Sequence, residues 1–186
     1  TPDKANATYN SGLLFPLQDT DPDYPALVMA NYIFGGGSLS SRLGTRVRQQ
    51  EGLSYSVGAA FSASAQDPRA SLTISAICNP ANIQRVEKAV AEELARLLRD
   101  GVTTEELDKA RQGYLQSQKV SRSSDTALAG VLSNLTYLGR TMAHQSELED
   151  KINRLTPEQI HAAVRKHIDP KKLVIVTAGD FDAKTP

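Results

Sequence analysis

The 186-residue chain has a single cysteine, Cys78. One thiol excludes an intrachain disulfide and any cysteine-based zinc knuckle, and it leaves the cellular compartment open. Surplus charge is missing too: 21 Lys and Arg balance 21 Asp and Glu. Nucleic-acid binders neutralise phosphates with excess cations, so this balance argues against a nucleic-acid partner. The short pairs Arg46/Arg48 and Lys171/Lys172 do not amount to a basic stripe. No run approaches the roughly 20 apolar residues of a membrane helix, so no membrane span is expected. The opening Thr1-Pro2-Asp3-Lys4 has neither a signal-peptide pattern nor an initiator Met, which suits a segment excised from a longer protein. The absence of a leader then says nothing about the parent's address.

What is present is ordinary globular composition, 40% apolar and 23% charged, in a length that suits one domain over residues 1–186. An extended run from Ala7 to Pro16 opens the chain and ends at Gln18-Asp19-Thr20-Asp21-Pro22-Asp23. The spacing predicts a helix over 24–34 with Tyr24, Leu27, Val28, Asn31 and Phe34 on one face, stopped by Gly35-Gly36-Gly37. A second helix over 38–50 carries Leu43 and Val47 inward. The period then changes to two. Leu53, Tyr55, Val57, Ala59 and Phe61 predict one strand face, and Ala70, Leu72, Ile74, Ala76 and Cys78 a second, joined by the turn signal Gln66-Asp67-Pro68.

The remainder reads as helical. Ile83, Val86, Val90, Leu94 and Leu97 form an apolar stripe. Thr103 with Glu106 is a capping-box signature for a helix over 104–120. Further helices are expected over 125–138, 146–154 and, from the start signal Thr156-Pro157, 157–167. Leu173 to Ala178 is a last apolar strand. This order gives an α+β fold: a mainly antiparallel sheet with helices packed on one face.

Few groups could carry chemistry. A zincin helix needs imidazoles at i and i+4, whereas His161 and His167 are six apart and His144 is remote, so no metal site is expected. The Gly35–Gly37 run lacks a P-loop Lys-Ser/Thr, and a break that lets helices pack closely is the simpler reading. Cys78 falls on an apolar strand face, as ordinary core. Asp19, Asp21 and Asp23 lack the glycine and distal Glu of an EF-hand loop and read as a solvated helix entrance. One constellation remains. Arg48 ends a helix, Gly52 turns the chain, and Tyr55 begins the next strand. Such a junction can aim a guanidinium and a phenol, both hydrogen-bond donors, at one peptide carbonyl or oxyanion. Taken alone, the same residues also read as a core strand tyrosine and an arginine serving a helix C-terminus.

The joint pattern of Asp21-Pro22-Asp23-Tyr24, Asn31 to Gly37, Ser41-Arg42-Leu43 and Arg48 through Val57 resembles the C-terminal, non-catalytic domain of M16 zinc peptidases, the pitrilysin and mitochondrial processing peptidase family. The resemblance runs from about Ala5 to Phe181. It implies an M16-type domain that closes over a catalytic half bearing H-x-x-E-H, where zinc is held and a Glu activates the metal-bound water. No H-x-x-E-H occurs here, so no cofactor is expected in this chain and zinc is expected in the partner. The resemblance assigns substrate binding to Arg48 and Tyr55, no catalytic group to this chain, and a peptide as substrate. It points to a periplasmic address, with the cytoplasm as the alternative. A purely structural module of the same fold is the competing function.

Overall fold

The computed structural model describes residues 5–181. Strand β1 (Ala7–Phe15) is followed by α1 (Tyr24–Asn31), a π-helical continuation (Tyr32–Gly36), a single 3-10 turn (Ser38–Ser40) and a second π-helical segment (Gly44–Gln50). Next come β2 (Ser54–Ala63), β3 (Ala70–Cys78), α2 (Ile83–Asp100), α3 (Thr104–Arg122), α4 (Asp125–Tyr137), α5 (Met142–Arg154), α6 (Pro157–His167) and β4 (Val174–Ala178). The four strands form one sheet in the order β2-β3-β1-β4, every pair antiparallel. This is the α+β architecture expected from the sequence.

One sheet face is covered. Alternate residues of β1 (Tyr9, Leu13, Phe15) and β3 (Leu72, Ile74, Ala76) are buried against the helices. The other face carries Asn10, Leu14, Ala60, Ser62, Thr73 and Ser75, all exposed. No strand contains Asp, Glu, Lys or Arg. Period-two burial follows from the pleat, which sends successive side chains to opposite faces. At the edge, β4 is exposed along its whole length, although its apolar sequence suggests a buried strand. Its only neighbour in the sheet among the described residues is β1.

Helix α1 departs from the expected single apolar face. Leu27 and Phe34 are buried, but so are Ala26, Met29, Ala30 and Ile33, while Tyr24, Val28 and Asn31 are only half-buried. The helix runs between β2 on one side and α3, α5 and α6 on the other, so most of its circumference is interior. The glycine run does not serve helix–helix packing. Gly35 lies flat on β2, where a Cβ would sit 2.6 Å from the Ala59 nitrogen. Helix α5 begins at Met142, earlier than the periodicity indicates, because the Thr141 side chain caps the Ala143 amide.

The capping box at Thr103 forms as expected. Glu106 N–H donates to Thr103 Oγ1 at 3.1 Å, and Thr103 N–H donates to Glu106 Oε2 at 2.8 Å. The same carboxylate accepts two bonds from Arg42, Nε to Oε1 and Nη2 to Oε2, each at 2.8 Å. Arg42 Nη2 also donates to the Gly101 carbonyl. The Ser41-Arg42-Leu43 motif is therefore structural, with Leu43 fully buried and Arg42 bolting this segment to the start of α3.

Burial alone would raise the Glu106 pKa, but the Arg42 bond and the Thr103 amide outweigh it and hold the carboxyl below its ordinary 4.5. A lowered folded-state pKa contributes stability that is complete above the unfolded value and is lost as pH falls through the folded one. The urea midpoint should thus fall more steeply between about pH 5 and about pH 3 in the wild type than in Glu106→Gln. Parallel profiles would show that this carboxylate is not coupled to folding. A second expectation concerns Gly52, whose φ is +59° and whose absent Cβ would meet nothing within 4 Å. Gly52→Ala introduces backbone strain alone and should lower unfolding free energy by about 1–2 kcal/mol, measured by urea titration.

Candidate functional site

The segment bearing Arg48 is wound wider than an α-helix. Glu51 N–H donates to the Arg46 carbonyl five residues back, at 3.0 Å, and Leu53 N–H reaches the Val47 carbonyl at 2.9 Å. Such π-helical turns recur at functional sites. Val47 is fully buried, so the following residues are carried to the surface. Gly52, with positive φ, then reverses the chain into β2.

Three carboxylates fasten this turn through one arginine. Arg46 Nε donates to Glu51 Oε1 at 2.9 Å, Nη1 to Glu93 Oε1 at 3.2 Å, and Nη2 to Glu92. The bond to Glu92, then that to Glu51, raises the Arg46 pKa above its ordinary value. Glu92 and Glu93 lie on α2, so the turn is anchored to that helix. Asn82 Nδ2 adds a bond to the Leu53 carbonyl at 3.4 Å.

Arg48, two residues beyond Arg46, is exposed and has no hydrogen bond or ion pair among the described residues. It is not spent on a carboxylate or on the helix end. Tyr55 is 64% exposed. It does not share the inward face with Leu53 and Val57, as simple alternation predicts, because the ladder is irregular there. Ser54 pairs with Cys78 and Ser56 with Ile77, which leaves Tyr55 as the extra residue of a β-bulge. Buried Ser54 holds the bulge: its hydroxyl lies 2.6 Å from the carbonyl oxygens of both Ser56 and Ile77, and it accepts the Ser56 N–H at 3.2 Å. Sequence reasoning missed Ser54, and the Ser-Tyr-Ser alternation carries no signal of the bulge. The core-tyrosine reading of Tyr55 fails on its exposure. What results is an anchored turn with an unpaired guanidinium on one side and an outward phenol on the other.

The other candidates fall to structural roles. Asp19 pairs with Arg140 through two bonds of 2.6 and 2.9 Å. Asp21 accepts the Asp23 N–H, and Asp23 accepts Lys166 Nζ at 2.7 Å and His167 Nε2 at 2.9 Å. The Lys166 bond leads in holding the Asp23 carboxyl below its ordinary value. Asp21, Asp23 and His167 form a group close enough to hold a metal ion. The lysine ammonium already on the same Asp23 oxygen fits an ion-pair cluster and not a cation site. His161 Nε2 lies 2.9 Å from the Leu98 carbonyl, His144 lies beside Arg140, and the three imidazoles have three separate settings. Cys78 is buried core, and burial pushes its thiol pKa up.

Comparison with known proteins identifies the family of this fold. The family described as "Peptidase M16 inactive domain" matches residues 1–114. The chain is 30% identical over 146 residues to the uncharacterized zinc protease YmxG of Bacillus subtilis, covering 77% of this chain and 34% of that protein. It is 26% identical over 171 residues to the non-peptidase homolog YmxG of Helicobacter pylori, covering 91% and 38%. Among solved structures, a peptidase M16 inactive domain from Pseudomonas fluorescens superposes with a TM-score of 0.83 at 28% identity, over 98% of this chain and 43% of that one. The chain thus spans well under half the length of each of these relatives. With its fold, its lack of H-x-x-E-H and these likenesses taken together, the chain belongs to the M16 peptidase family, as an inactive-type domain.

Proposed function

We propose that this chain is the non-catalytic half of a zinc metallopeptidase, closing over a catalytic half and presenting Arg48 and Tyr55 to the bound peptide. The observation that carries this reading is the bulge at Ser54–Ser56, which turns Tyr55 outward beside a turn whose Arg48 has no partner among the described residues. An arginine and a tyrosine left free on an anchored junction are donors without an internal acceptor. A peptide carbonyl or a developing oxyanion supplies the acceptor.

The division of labour follows from the donor sets. Zinc belongs to the half with H-x-x-E-H, where it supplies Lewis acidity and activates water. In this chain, the guanidinium of Arg48 binds and orients the peptide backbone, and the Tyr55 hydroxyl donates to the oxygen on which negative charge grows. Rigidity matters because preorganised donors stabilise charge without reorganising, and Arg46 with its three carboxylates fixes the turn. The assembled enzyme is either one longer chain or two subunits, and residues 1–186 form one of its two domains. A second reading, a structural module without a role in hydrolysis, is favoured by the Helicobacter pylori relative, which is named a non-peptidase homolog.

In the assembled enzyme, Arg48→Ala and Tyr55→Phe should each lower turnover by about 10²-fold, as loss of an oxyanion donor does. Both residues are exposed, so the melting temperature should not move. Wild-type turnover in both variants would sink the substrate-binding role and leave the structural module standing.

A further inference from the structure

Strand β1 pairs with β3 as far as Phe15, but its pairing with β4 stops at Gly12, which faces Val174. Beyond Gly12, the side of β1 turned away from β3 is therefore an open strand edge among the described residues. A groove of about 550 Å³ runs along it, with Leu13, Leu14 and Phe15 in succession on its wall. Successive strand residues point to opposite faces, so a groove that touches all three lies against the edge of the strand. Backbone groups on such an edge are a template for another extended chain.

The groove is also cationic. Arg165 and Lys172 line it, both are exposed, and neither side chain has a hydrogen bond or ion pair among the described residues. Lys166 and His167 line it too but are committed to Asp23. Asp169 is the acidic residue of the wall, and its carboxylate accepts the Lys171 N–H at 3.0 Å. Leu14, 69% exposed, also lines a second groove of about 420 Å³, where it meets Ser62, Ser71 and Arg69. The Arg69 side chain is likewise exposed and unpaired among the described residues. Service to a helix C-terminus does not account for this set, because Lys172 lies beyond the end of α6 and Arg69 on the β2–β3 connection. In a chain of zero net charge, three uncommitted cations around one exposed leucine make a local positive patch.

We propose that this patch is a second peptide-binding surface, which takes an acidic segment in extended form along the open edge of β1. The backbone of the segment adds to the edge beyond Gly12, its carboxylates meet Arg165, Lys172 and Arg69, and an apolar side chain rests on Leu14. Charge complementarity selects an anionic occupant, and the strand edge selects a peptide, since neither a nucleic-acid duplex nor a lipid surface has a strand to add. The surface is separate from Arg48 and Tyr55. Tyr55 stands where β2 is level with Cys78 and Ala7, whereas the grooves lie at the other end of the sheet, beside Phe15 and Ala70. The inference thus goes beyond the function proposed above and concerns this chain alone.

The test is fluorescence anisotropy of this chain with a short fluorescein-labelled peptide of alternating Glu and Val, and with its counterpart of alternating Lys and Val. The Glu peptide should bind the more tightly, and added salt should weaken it. The Arg69→Gln/Arg165→Gln/Lys172→Gln variant should lose about tenfold or more in affinity, the sum of three exposed charge pairs, with an unchanged melting temperature. Arg48→Ala should bind the Glu peptide as the wild type does. Equal affinity for the two peptides, or wild-type affinity in the triple variant, would overturn the proposal. Loss of binding in Arg48→Ala with the triple variant intact would also overturn it, by placing the peptide at the anchored turn and so favouring the function proposed above. Capture of phosphatidylserine vesicles or duplex DNA without binding of the Glu peptide would make the patch a membrane or nucleic-acid surface and overturn the proposal.

Discussion

The contact between Gly35 and β2 sets the spacing on which the other parts depend. With no Cβ at Gly35, the end of the α1 segment rests directly on the backbone at Gly58 and Ala59. Any side chain there would strike the Ala59 nitrogen or its Cβ, so either the helix would lift from the sheet or β2 would move. The wide turns on either side accommodate this seat. The Gly37 amide reaches the Tyr32 carbonyl at 2.8 Å, and Gly44 lies tight against the Ser38 carbonyl. Close apposition to β2 thus governs where the second π-helical segment begins, and hence where Arg48 emerges.

Much of the architecture could be read from residue patterns because the governing interactions were local or periodic. Burial of Ala70, Leu72, Ile74, Ala76 and Cys78 follows from alternation alone. The Thr103/Glu106 and Thr156/Gln159 caps are short-range bonds, and both helices begin where those pairs stand. What escaped was set by distant partners. The nearly complete burial of α1 depends on which helices surround it. The exposure of β4 depends on what does not cover it. Neither is written in the periodicity of the segment itself.

The candidate site divides in the same way. Arg48 and Tyr55 were visible as residue types at a helix-turn-strand junction. The conditions that make them available were not. Ser54 holds the irregular ladder from a buried position, its hydroxyl within reach of two backbone carbonyls, and Arg46 takes up three carboxylates around the turn. Two arginines two residues apart look equivalent in a sequence. One is consumed in ion pairs, and the other has no side-chain partner among the described residues. The acidic entrance at Asp19 to Asp23 inverts the pattern, since its carboxylates are engaged in a local backbone bond or in ion pairs.

The strand order has a consequence for how the chain reaches this form. Strand β1 lies between β3 and β4, and its pairing runs from Thr8 to Ala178 on one side and from Ala7 to Cys78 on the other. Strand β1 therefore has one neighbour much nearer in sequence than the other. During synthesis the three-stranded unit β2-β3-β1 can assemble under α1 and α2, with one edge of β1 open and free of charged side chains. Closing that edge requires contact across some 170 residues, the kind of long-range pairing that is slow to form. Strand β4 acts as the latch of this domain, and it can shut only after the helices that separate it from β1 have been made.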